Sequence, residues 1–98
     1  MWNKKLVTIV TEKAIESNLE DSFKDWGIKG YTITDARGKG NRGVRSAVWD
    51  QAANIRIEVV TDGKMAELLC ERLKAEYYDN YAMILFTVDV QTLRDDKF

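Results

Sequence analysis

The sequence has no histidine, no proline and a single cysteine among its 98 residues. Without histidine, the usual metal ligand and the usual general base at neutral pH are both missing. The lone thiol, Cys70, cannot close an intrachain disulfide. In "MAELLCERL" it sits among apolar residues at helical spacing and is expected to be a core thiol, not a nucleophile. No apolar run approaches the ~18 residues a membrane-spanning helix needs, and no signal peptide precedes Lys4. A cytoplasmic protein without membrane insertion is expected. No Pro-rich or low-complexity linker divides the chain, so residues 1–98 are expected to form one domain.

What is present is a soluble globular balance, with 45% hydrophobic and 32% charged residues and a net charge of −1. Charge is distributed unevenly. The stretch "ARGKGNRGVRS", 36–46, carries three glycines and four cations (Arg37, Lys39, Arg42, Arg45) without an acidic residue, which leaves −5 on the rest of the chain. A cationic segment on an acidic body argues against bulk attraction to nucleic acid or membranes.

Along the chain, "KLVTIV" (5–10) is β-branched and nearly continuous in apolar character, like a central strand buried on both faces. Residues 12–26 place Ile15, Leu19, Phe23 and Trp26 on one helical stripe, and Gly27 follows as the stop. "YTITDAR" (31–37) and "NIRIEVV" (54–60) alternate as strands, and Ile55, Ile57 and Val59 share one side. Asp62 can cap a second helix whose stripe is Met65, Leu68, Leu69, Leu73 and Tyr77. "AMILFTVDV" (82–90) is a last strand. The order β-α-β-β-α-β predicts an α+β ferredoxin-like fold: an antiparallel sheet with both helices on one face.

The two middle strands should pair as a hairpin, yet about fifteen residues (38–52) lie between them. Hairpin loops usually hold two to five, and a long loop usually persists because it binds something. Its glycines permit close backbone approach to a ligand, and Arg42 and Arg45 present fork-shaped donors that match phosphate or carboxylate oxygens. Lys39 adds a compact charge and Ser46 a hydroxyl. The segment reads as an anion clamp, although neither the dinucleotide nor the Walker glycine pattern is present. A second unusual stretch is "AEYYDNYAM", 75–83, where the second helix must turn into the last strand. Tyr77 and Tyr78 are expected to pack, and the backbone N–H and C=O groups after Asn80 are expected to be free to meet an adenine edge.

Four segments together, "KLVTIVTEK", "KGYTIT", "GKGNRGVRS" and "EYYDNYAMILF", resemble the PII-like signalling proteins over about residues 5–93. They are most similar to the branch that regulates bicarbonate transport (the SbtB type) and its carboxysome-associated relative. The resemblance implies a homotrimer with adenine nucleotides in the clefts between subunits, and a T-loop at about 38–52 that changes order with the ligand. It implies sensing of ADP, AMP, cAMP or ATP, with bicarbonate as a further ligand, and no metal cofactor. It also implies contact with a bicarbonate transporter or carboxysome-related protein, which would bring a cytoplasmic protein to the membrane only through its partner.

By the same resemblance, Thr32 lies near the adenine, and Gly38, Lys39, Gly40, Asn41 and Arg42 open the T-loop around the ligand. Arg45 and Ser46 belong to the segment that reaches phosphate. Tyr81, Ala82, Met83 and Ile84 belong to the neighbouring chain's turn, which holds the base through its backbone. There are departures. The glycine-rich, lysine-bearing turn of nitrogen-sensing PII proteins is absent from "YYDNYAMILF", so tight Mg-ATP and 2-oxoglutarate binding is not expected. The T-loop tyrosine that is uridylylated and the redox-active cysteine tail are missing too, so their switches are not transferred.

Three other function classes are weaker. A small nucleotide- or acyl-phosphate-hydrolysing enzyme of similar fold would need a nucleophile–base pair, and only Asp35 and Glu58 lie near the loop in sequence. A nucleic-acid binder would carry aromatics on an open strand, which "NIRIEVV" lacks. The related trimeric metal-tolerance fold would want soft ligands that a chain with one cysteine and no histidine does not supply.

Overall fold

The apolar run near the N-terminus extends into the longest strand of the structure. The computed structural model describes residues 1–38 and 53–95. Strand β1 spans Trp2–Glu12, β2 Thr32–Ala36, β3 Asn54–Thr61 and β4 Met83–Thr92, while helix α1 is Glu16–Trp26 and α2 is Gly63–Glu76. The sheet runs β2-β3-β1-β4 with every neighbouring pair antiparallel. This is the ferredoxin-like arrangement expected from the sequence.

Val7, Ile9, Ile55, Ile57 and Val59 point to one face and are wholly buried or nearly so. Leu19 and Phe23 of α1 and Leu69 and Leu73 of α2 close over them in a single apolar cluster, so both helices lie on that face. Trp26, expected in the stripe, is half-buried and packs against the cluster with Arg72 over its ring at 5.8 Å. The first helix also starts later than its apolar spacing suggests. Glu12 stays in β1, paired with Asn54, and a single 3-10 turn, Lys13–Ile15, precedes α1.

Helix ends follow local chemistry. Gly27 ends α1 at φ 81, and the N–H of Ile28 reaches back to the carbonyl of Phe23 at 2.9 Å. That is a left-handed cap sealed by contact between Ile28 and the core. A Cβ at Gly27 would meet nothing within 4 Å, so the penalty for adding one is purely conformational. Gly27→Ala is expected to lower stability by ~1 kcal/mol in chemical denaturation, with no change in the slope. At the start of α2 the Asp62 carboxylate accepts from the Met65 N–H at 2.8 Å, the cap the sequence predicts.

On the opposite face of the sheet the described residues place no helix, and of the β1 side chains there only Thr8 is wholly buried. Register aligns Thr32, Glu58, Thr8 and Phe86 in one row across it, and Thr34, Arg56, Val10 and Ile84 in the next. Ile84, Phe86 and Val88 are 50%, 43% and 46% exposed, and Leu6 and Val10 beside them are only half-buried. Burial of β1 on both faces is therefore incomplete among the described residues, where neither helix covers this side.

Candidate functional site

One end of the sheet gathers three pieces of chain: the end of β1, the roots of the 39–52 segment, and the turn between α2 and β4. Lys13 joins the first two. Its N–H donates to the Ala53 carbonyl at 2.9 Å, and its ammonium lies 3.6 Å from Asp35 of β2. Both side chains of that ion pair are well exposed, so it orients more than it stabilises.

The turn at 77–82 is fixed at both ends. Tyr77 is buried, and its hydroxyl donates to the Asn18 carbonyl at 3.2 Å and lies 2.8 Å from the Ser22 hydroxyl, which ties the end of α2 to α1. The N–H groups of Asn80 and Tyr81 both donate to the Tyr77 carbonyl at 3.1 Å. At the far end, the Ala82 N–H donates to the Glu12 carboxylate at 2.7 Å, and the Thr11 hydroxyl donates to the Ala82 carbonyl at 2.7 Å. Ala82, Thr11 and Glu12 are all buried. The backbone groups of this turn were expected to be free, and those of Ala82 are engaged instead. A buried peptide group must find a partner, and the end of β1 supplies one for each side of Ala82. Tyr77 packs as expected, whereas Tyr78 is 40% exposed.

Of the expected site residues, Tyr81, Ala82, Met83 and Ile84 stand together at the turn and the start of β4, where Met83 pairs with Thr11 and Ile84 with Val10. Thr32 lies on β2, at the opposite edge of the sheet. Three strand spacings of ~4.8 Å separate those edges, or about 14 Å. Gly38 is exposed just past β2, and Lys39, Gly40, Asn41, Arg42, Arg45 and Ser46 lie outside the described residues, as does Trp49. Thr32 and the turn thus do not share one cleft within a chain. Sequence reasoning missed Thr11 and Glu12 because it assigned Glu12 to the first helix. The signal was a Thr-Glu pair directly after the apolar run "KLVTIV".

Elsewhere, burial pushes the Cys70 thiol up from its ordinary value, and the side chain is half-buried, not deep in the core. Alkylation of Cys70 by iodoacetamide at neutral pH is expected to run slower than for a free model thiol, and to speed up on unfolding. The Tyr31 phenol donates to Glu20 at 2.7 Å. This bond, with lost hydration and the negative field of Glu20 and Glu16, raises its pKa. Open grooves of about 630 and 520 Å³ border Lys5 and Gly63, towards the other end of the sheet from the Ala82 turn. Among the described residues there is no group of three or more His, Cys, Asp or Glu placed to hold a metal ion. No helix among them is long and apolar enough to cross a membrane.

The fold is that of small ferredoxin-like α+β domains, and comparison narrows the class. The family model for nitrogen regulatory protein P-II matches residues 4–97. The chain belongs to the P-II family and is a PII-like signalling protein. A PII-like signaling protein from Thermus thermophilus is 43% identical, with a TM-score of 0.80 over 98% of this chain and 95% of that one. CPII from Thiomonas intermedia, solved with ADP and bicarbonate, is 26% identical with a TM-score of 0.83, covering 99% of this chain and 95% of its own. CPII solved with ADP, AMP and acetate gives the same values.

Proposed function

We propose that the chain is a non-enzymatic sensor that binds an adenine nucleotide in clefts between copies of itself, with bicarbonate as a second ligand. The observation that carries this reading is the similarity over nearly the full chain to CPII, which was solved with ADP and bicarbonate. ADP and AMP are the nucleotides favoured by that comparison. Arg42 and Arg45, aided by Lys39 and Ser46, take the phosphates, while Gly38, Gly40 and Asn41 let the backbone close on the ligand. Thr32 of the same chain and Tyr81, Met83 and Ile84 of a neighbouring chain take the base, while Ala82, whose N–H and carbonyl are held by Glu12 and Thr11, fixes the turn between them.

Two features favour a site shared between copies. Thr32 and the turn occupy opposite edges of one sheet, so adjacent copies can bring them together where a single chain cannot. The bare apolar face around Phe86 is a surface that another copy can cover. A homotrimer, the assembly implied by the PII-like resemblance, satisfies both. The T-loop then offers a partner two states to discriminate, nucleotide-bound and empty. The partner is an inorganic-carbon transporter or a carboxysome component, read from the cytoplasm.

Calorimetric titration with ADP, AMP, ATP and cAMP, each with and without bicarbonate, tests the reading. Micromolar binding of an adenine nucleotide, with affinity altered by bicarbonate, supports it. Absence of binding by all four rejects it, and phosphate release during the titration would mark a hydrolase instead.

A further inference from the structure

We propose that the outer edge of β4, with the groove beside it, is a docking site for an extended, basic segment of a partner protein. Strand β4 lies at one side of the sheet and pairs only with β1. Along Met83–Thr92, one row of backbone N–H and C=O groups therefore meets no strand among the described residues. An edge that long is a template for another strand unless something blunts it. The strand at the opposite edge, β2, offers only Thr32–Ala36. The inference concerns the half of β4 beyond Phe86, which carries none of the residues given to the nucleotide above, and it stands apart from that reading.

Side chains alternate along the strand. Val88 lies on the apolar face, whereas Thr87, Asp89 and Gln91 fall on the helix side, in register with Val7, Lys5 and Asn3. All four of these β4 residues are exposed, so α2 does not reach out over the edge. Two grooves open there instead. One, of about 520 Å³, is walled by Thr87 and by Glu67, Cys70 and Glu71 of α2. The other, of about 630 Å³, is walled by Asp89 and Gln91, and Lys5 and Gly63 line both.

Charge decides what this side takes. The Lys5 ammonium is already ion-paired with Asp89. Glu67 and Glu71 are exposed and have no ion pair among the described residues. They stand one helical turn apart, ~6 Å along the axis, close to the ~6.8 Å between alternate residues of a strand. A strand added to β4 would set every second side chain over this wall, where lysine or arginine would meet Glu67 and Glu71 in turn. The side chains between them would fall beside Val88 and would be apolar. Main-chain bonds to the edge supply the hold, and the acidic wall supplies the selectivity.

The test uses the full chain and fluorescein-labelled octapeptides, one alternating lysine with valine and one alternating glutamate with valine, read by anisotropy. The lysine peptide should bind saturably, and the glutamate peptide at least tenfold more weakly. The double variant E67Q, E71Q changes two exposed helix positions and should weaken the lysine peptide about fivefold, as loss of two exposed ion pairs allows. A lysine peptide N-methylated at every residue keeps its charges and donates no backbone hydrogen bond, so wild type should bind it at least tenfold more weakly. Hydrogen exchange of wild type with the lysine peptide should slow at amides within 87–92. No binding of the lysine peptide by wild type overturns the proposal, and so does unaltered binding by the double variant. Equal binding of the methylated peptide would mean charge attraction without strand addition and overturns it too, as does protection that falls outside β4.

Discussion

The double variant Arg42→Ala, Arg45→Ala is expected to lose ADP affinity by at least ~100-fold while keeping its thermal stability and its oligomeric mass. Each charge-assisted hydrogen bond from a guanidinium to phosphate contributes ~1.5–3 kcal/mol, so two together span two or more decades of affinity. The core residues Leu19, Phe23, Leu69 and Leu73 are contributed by other segments, so stability should be spared. Lysine at either position should recover only part of the loss, because an ammonium is a point charge without the planar fork that matches two oxygens. Equal affinity in the double variant, measured by calorimetry, would move the phosphate site elsewhere.

Phe86→Glu is expected to convert the assembly into single chains. Phe86 lies between Ile84 and Val88 on β4, all three exposed on the face that neither described helix covers. A carboxylate there would be buried without a partner on association, which costs several kcal/mol at each interface. Within one chain Phe86 is already 43% exposed, so the fold should tolerate the change. Sedimentation should show the single-chain mass with an unaltered helical circular dichroism signal. Lys74→Glu, on an exposed position of α2, should leave the assembly intact. Retention of the wild-type mass by Phe86→Glu would remove the apolar sheet face from the interface.

Much of the fold was legible because local and tertiary signals agree. Gly27 could end a helix in the left-handed region, Asp62 could cap one, and the Leu19–Phe23 and Leu69–Leu73 spacings allow only one buried face on each helix. Other features needed the third dimension. The alternation of Ile84, Phe86 and Val88 has the pattern of core residues, and only the placement of both helices reveals that these point away from the core. The same placement leaves Leu6 and Val10 of β1 only half-buried among the described residues, although the strand is apolar on both sides. Tyr78 and Tyr77 are adjacent aromatics, and the end of α2 turns one inwards and leaves the other exposed. Glu12 gave no periodic signal, since its partner lies seventy residues away in sequence. The cationic segment at 39–46 is read as an anion clamp from its interleaved glycines and arginines alone, because it falls outside the described residues.

The central claim is that the nucleotide site is built from two copies of the chain. Titration of ADP into wild-type and Phe86→Glu protein, side by side, tests it most directly. The account predicts micromolar binding at one ADP per chain for the wild type, and no measurable binding for the dissociated variant. Equal affinity in the single-chain variant would place the whole site within one chain and contradict it, and absence of ADP binding by the wild type would contradict the sensor itself.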